Sequence, residues 1–150
     1  MRLPRNSKTV LFALAGIAGV RIASRLLHRR RLDGQVVFVT GGSRGLGLSI
    51  ALECGRRGAH VALAARNEAA LHRAAQQVRE RGGQALPLVC DVRNRDEIER
   101  SVHRAHEHFG RLDVLVNNAG TIAVGPMEDM TQEDYRDALD THFWAMYYAV

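Results

Sequence analysis

Four glycines fall within the seven residues Gly41–Gly47, with Ser43, Arg44 and Leu46 among them. Glycine takes backbone angles that other residues avoid and, lacking a Cβ, lets a ligand approach the main chain. Ser43 adds a hydroxyl and Arg44 a fixed cation to the same loop. A phosphate suits such a loop best where a helix begins, because a helix N-terminus presents unpaired N–H groups and partial positive charge. The flanking residues provide that setting. On the left, "QVVFVT" (Gln35–Thr40) is a short, β-branched, uncharged run of the kind an interior strand needs. On the right, Leu46, Leu48, Ile50, Ala51 and Leu52 give a mostly apolar helix able to lie on a sheet, with Gly55 or Gly58 to end it. A tight turn without a ligand is the competing reading of the loop alone. The remaining polar residues decide between them.

The same alternation continues along the chain. Short apolar runs at His60–Arg66, Ala85–Val92 and Asp113–Gly120 read as strands. Helical patterns occupy Asn67–Arg81 and Asp96–Phe109, and Thr131 with Asp134 forms a capping-box signature that opens a last helix toward Val150. The order β-α-β-α-β-α-β-α predicts an α/β, Rossmann-type doubly wound parallel sheet of about four strands. Ligands bind such sheets beyond the C-terminal ends of the strands. Gly41–Gly47, Arg66, Asp91 and the pair Asn117–Asn118 each follow a different strand, so one face collects all of them.

At these residues the domain resembles the short-chain dehydrogenase/reductase family, over about Leu32 to Val150. The likeness is carried by "TGGSRGLG", "CDV" and "NNAG" in that order. It implies that Gly41, Ser43, Arg44, Gly45, Leu46 and Gly47 cradle the pyrophosphate and adenosine side of a nicotinamide cofactor. By the same resemblance Asp91 and Val92 lie at the adenine, and Asn118, Ala119 and Gly120 border the ribose. Cofactor choice can be argued from charge. An acidic residue at the end of the second strand favours a free ribose 2′-OH, whereas here Ala65 and Arg66 stand there and Arg44 can supply a second guanidinium. NADP(H) is therefore preferred, with NAD(H) the alternative.

The family's chemistry is reduction or oxidation at a carbonyl or alcohol, using a serine and a Tyr-x-x-x-Lys pair from a fifth strand and the helix after it. None of Tyr135, Tyr147 and Tyr148 has a lysine four residues on, and the only lysine is Lys8. The chain thus reads as the cofactor-binding part of such an oxidoreductase, truncated before the active-site strand and helix and inactive alone. A non-catalytic dinucleotide-binding module is the alternative. His142 aligns with the family's helix-four asparagine; it is either a substitute in the proton relay or a satisfied polar residue among Phe143, Trp144 and Tyr147. The resemblance also allows a homo-oligomer in a longer form. An open fourth strand would leave part of "FWAMYYAV" uncovered, so the chain is expected to be poorly soluble alone.

Charge is divided unevenly. Eight of the 21 basic residues (Arg2, Arg5, Lys8, Arg21, Arg25, Arg29, Arg30, Arg31) precede Asp33, where no acidic residue occurs, so that segment carries +8; the other 13 against 16 acidic residues leave −3. The basic excess lies outside the domain, which argues against nucleic-acid binding. Within the basic segment an apolar run extends from Val10 to Val20. As a helix, Thr9–Leu27 would reach about 28 Å, a marginal span with Arg21 and Arg25 in its last third. An anchor, a cleaved signal and an interfacial helix compete; membrane association of residues 1–32, with the 33–150 domain facing the cytoplasm, is favoured over a soluble cytoplasmic protein. Cys54 and Cys90 fit no metal-ligand or redox spacing and read as small buried thiols. His103, His106 and His108 read as a solvated helix face, and no metal site is assigned.

Overall fold

The computed structural model describes residues 32–150, and Leu32–Val150 forms one compact unit. The expected N-terminal apolar helix and membrane anchor lie outside the described residues. Among those described, no helix is long and apolar enough to cross a membrane.

Strands β1 (Val36–Thr40), β2 (His60–Ala65), β3 (Gln84–Val89) and β4 (Val114–Val116) form one parallel sheet in the order β3-β2-β1-β4. Helices α1 (Gly45–Arg56), α2 (Glu68–Glu80) and α3 (Arg95–Phe109) connect them. β1 is interior, as its uncharged sequence requires, and every residue in it is buried. Val37, Val39, Val61 and Leu63 point to the face covered by Ala51 and Leu52 of α1 and by Leu71, Ala75 and Val78 of α2. Phe38, Ala62, Ala64 and Leu88 point to the other face, against Ile98 and Ala105 of α3. The strand alternation thus separates two cores, and the sheet is doubly wound. Pro87 is accommodated because β3 is an edge strand, where a missing N–H breaks no ladder on the outer side.

The buried side of α1 is Gly47, Ala51, Leu52 and Gly55. This corrects the apolar reading of its first turn: Leu46 is 70% exposed, because the helical phase that buries Gly47 turns its neighbour outward. Of the two glycines expected to end this helix, Gly58 follows the last turn while Gly55 packs against Val78.

β4 is short and takes its register from β1. Asp113 Oδ2 accepts the Val36 N–H at 2.8 Å, and the Asp113 N–H donates to the Val36 carbonyl at 3.0 Å. The expected final helix comes in three pieces: α4 (Gln132–Leu139), one turn of π-helix (Asp140–Trp144) and α5 (Ala145–Tyr148). The capping box is present, with Thr131 Oγ1 accepting from the Asp134 N–H and Asp134 Oδ2 from the Thr131 N–H. A short α5 buries Ala145 and Ala149 in the second core.

Candidate active-site cleft

At the C-terminal ends of the strands lies a cleft of about 620 Å³. Gly41, Ser43, Arg44 and Gly45 line it from the β1–α1 loop, and Ala65, Arg66 and Asn67 from the end of β2. Asp91 and Val92 follow β3, and Asn118, Ala119 and Gly120 follow β4. The residues picked out on four separate loops therefore share one cavity, of the size that holds a cofactor. Asn117 is exposed and does not line it.

Leu46 and Gly47 are not part of the lining. Gly47 is buried beneath the loop, where an added Cβ would overlap the Gly41 carbonyl and come within 2.5 Å of Asn118 Nδ2. Gly41 has φ +66°, and a Cβ there would meet Asn118 Nδ2 at 2.9 Å and the Ala119 backbone at 3.0 Å. These two glycines let the loop after β1 and the loop after β4 touch.

Three of the four helices described above as α1 to α4 start with a side-chain cap. Asn67 Oδ1 accepts from the Ala70 N–H, Asn94 Oδ1 from the Glu97 N–H, and Thr131 from the Asp134 N–H. α1 begins after Arg44 with no side-chain cap. Its first-turn N–H groups open beside the cleft, together with the helix dipole. The Arg44 carbonyl accepts the Leu48 N–H at 3.3 Å, its guanidinium has no hydrogen bond or ion pair among the described residues, and it shares the cleft with the exposed Arg66. The uncapped helix, the glycine cradle and two guanidinium groups suit a polyphosphate.

Thr40, read from the sequence only as the end of a strand, proves central. Its hydroxyl accepts the N–H groups of Asn118 (2.9 Å) and Ala119 (3.0 Å) and donates to the Val116 carbonyl (3.3 Å). Asn118 Nδ2 donates to the Thr40 carbonyl at 3.0 Å and the Gly41 carbonyl at 3.3 Å. The β4 loop is thereby tied to the floor of the cleft by buried polar contacts.

The Asp91 N–H donates to Glu97 Oε2 at 2.8 Å. Its carboxylate is gripped by Arg93, which holds the Asp91 pKa below the usual carboxylate range. Arg93, Asp137 and Thr141 also line the cleft and were not expected from sequence. Cys90 is buried at its base, and burial pushes its thiol pKa up. Cys54 is partly buried, likewise with a raised thiol pKa.

His142 sits on the π-helical turn. Its Nε2 lies 2.7 Å from the Thr121 carbonyl, and its Cε1 is where a Cβ on Gly120 would fall, 2.8 Å away. The imidazole therefore props the loop after β4. Tyr135, Tyr147 and Tyr148 do not line the cleft. His103, His106 and His108 are exposed on α3, with His103 Nε2 3.1 Å from Glu107.

Residues 35–150 match the family model described as short chain dehydrogenase. The chain is 38% identical over 122 residues to an uncharacterized oxidoreductase, YxnA, of Bacillus subtilis, covering 81% of this chain and 34% of that protein. It is 39% identical over 124 residues to 11-beta-hydroxysteroid dehydrogenase A of Sesamum indicum, covering 81% and 36%. Among solved structures, a blue fluorescent protein from a metagenomic library in complex with NADPH superposes with a TM-score of 0.75 at 31% identity, covering 80% of this chain and 50% of that one. The chain thus spans roughly a third of the length of these curated relatives.

Proposed function

Because the chain belongs to the short-chain dehydrogenase family, we propose that its cleft binds NADP(H) as the cofactor-holding part of an oxidoreductase acting on a carbonyl or alcohol. The observation that carries this reading is the charge at the end of β2. Ala65 is buried there, Arg66 lines the cleft beside it, and Arg44 lines the same cleft from the glycine loop. A 2′-phosphate gains two guanidinium partners, whereas a free ribose hydroxyl finds no acidic acceptor at that strand end. The uncapped start of α1 with Gly41 and Gly45 suits the pyrophosphate, Asp91 and Val92 the adenine, and Asn118, Ala119 and Gly120 the ribose beyond it. The bound cofactor would supply hydride transfer; the protein supplies binding and orientation.

Proton transfer is not assigned to these residues, since among the described residues no tyrosine or lysine lines the cleft. The contacts of His142 with Thr121 and Gly120 support a loop-positioning role over a relay role. Attachment to a membrane through residues 1–32 belongs to the same proposal, with the basic and apolar pattern of that segment as its support.

The test is calorimetric titration of the full chain with NADPH and with NADH, before and after Arg66→Ala. NADPH should bind more tightly, and the substitution should weaken it about tenfold or more, the scale of a charge-assisted hydrogen bond, while leaving NADH nearly unchanged. Equal losses for both cofactors, or tighter binding of NADH by the unaltered chain, would overturn the choice of NADP(H).

A further inference from the structure

Arg93 reaches two carboxylates at once. Its Nη2 lies 2.9 Å from Asp91 Oδ2 and its Nε 3.2 Å from Asp91 Oδ1, while its Nη1 is 3.1 Å from each oxygen of Asp137. The Arg93 N–H also donates to Asp91 Oδ1 at 3.1 Å, which fixes the turn that aims the guanidinium. Asp91 follows β3 and Asp137 belongs to α4, and both line the cleft. One planar fork therefore serves as the shared cation of two acidic groups that would otherwise repel each other.

Little else holds α4 in place. None of its residues is buried. Asp137 carries its only side-chain hydrogen bonds to another element among the described residues. α5 differs, since it buries Ala145 and Ala149 in the second core and places the Tyr148 ring 5.6 Å from the Arg95 guanidinium. The π-helical turn between them carries Thr141 into the cleft and His142 onto the Gly120–Thr121 loop. The position of α4 thus bears on one wall of the cleft.

We infer that Arg93 is a positioning residue that couples the cleft to α4: a ligand that engages Asp91 holds the Arg93 fork and α4 with it, and docked α4 holds Asp91 for the ligand. The coupling is reciprocal, so each event strengthens the other by the same factor. It rests on the NADP(H) reading for the identity of the ligand, whereas the docking of α4 through Arg93 does not.

Hydrogen exchange of the full chain tests both parts. Without ligand, Asp137→Asn and Arg93→Ala should each speed exchange of the α4 amides about two- to fivefold, the scale of an exposed ion pair, with the β1 and β2 amides unaffected. Saturating NADPH should slow α4 exchange in the unaltered chain about two- to fivefold, and Asp137→Asn should abolish that slowing while weakening NADPH by the factor of the slowing that is lost. Arg93→Lys should behave like Arg93→Ala, because an ammonium lacks the fork that spans both carboxylates. Unchanged α4 exchange in the ligand-free variants overturns the docking role. NADPH binding without protection of α4, or protection that survives Asp137→Asn, overturns the coupling. If the unaltered chain binds no NADPH, the cofactor reading fails and takes the coupling with it, and the ligand-free comparison still decides whether Arg93 docks α4.

Discussion

Val36–Val39 of β1 and Val61–Ala64 of β2 are 0–1% exposed between two helical layers, whereas Phe143, Trp144, Met146 and Tyr147 beyond α4 are 40–66% exposed. The first leads into Gly41 and Ala65 and the second follows Asp137 and Thr141, all of which line the cleft, yet the two regions are held by different forces. The glycine loop stands on a packed apolar base, so its geometry follows from burial. The wall formed by the β4 loop and α4 depends on a few polar contacts: the Thr40 hydroxyl, the Asn118 amide, His142 and Arg93. The base therefore draws its geometry from packing, and the wall, with few buried contacts, is the part in which a response to ligand is expected.

A pair of identical substitutions gives the largest contrast. Phe38→Ala empties a site that is fully buried between β1 and the second core, and should destabilise the chain by about 3–5 kcal/mol. Phe143→Ala removes a ring that is 51% exposed and touches mainly Trp144, edge-on at 5.0 Å. Its effect should stay within about 0.5 kcal/mol. Urea denaturation of the two variants measures the difference. Comparable losses would mean that the aromatic face is covered in solution, and the contrast between the two regions would dissolve.

Thr40→Val sits between these extremes, because it alters no shape but strips a buried hydroxyl from two N–H donors. Leaving them unsatisfied should cost about 1–3 kcal/mol, with faster exchange at Asn118 and Ala119. Thr40→Ser should restore protection. If Thr40→Val leaves these amides protected, the β4 loop is positioned by packing after all, and the wall resembles the base.

The packed base was legible in the sequence, and of the wall the residues Asn118–Gly120, His142 and the capping box of α4 were legible but not the contacts that join them, for reasons visible in particular residues. An uncharged β-branched run such as Val36–Thr40 reads as an interior strand, and the turn after it is marked by glycine. Gly41 and Gly47 announced themselves by type, although Gly47 proved to serve loop contact and not the cavity surface. Leu46 was misplaced because its hydrophobicity spoke louder than its helical phase. Thr40 lay inside the motif, but a threonine at a strand end carries no mark of the two N–H groups it will meet. Arg93 and Asp137 are joined by tertiary structure alone, and no local pattern relates them. The π-helical turn at Asp140–Trp144 likewise has no signature in a stretch that reads as continuous helix.

The smallest expected effect checks whether charge contributes to the base at all. On the outer surface of α1, Glu53 accepts from Arg56 Nε and Nη2 and from Arg57 Nε, each at 2.7 Å, and these bonds hold its pKa down to about 2 from 4.5. A carboxylate with a depressed folded pKa binds fewer protons when folded, so its contribution is present above the unfolded pKa and fades as pH falls toward 2. Glu53→Gln should therefore lower Tm at pH 7 only slightly, since the partners are exposed and local in sequence. The gap between variant and parent should close as the pH drops from 4.5 to 2. Thermal melts across that range decide the matter. A gap that persists at pH 2 would assign the effect to packing of the side-chain stem, and a large gap at pH 7 would mean that the base, too, leans on polar contacts.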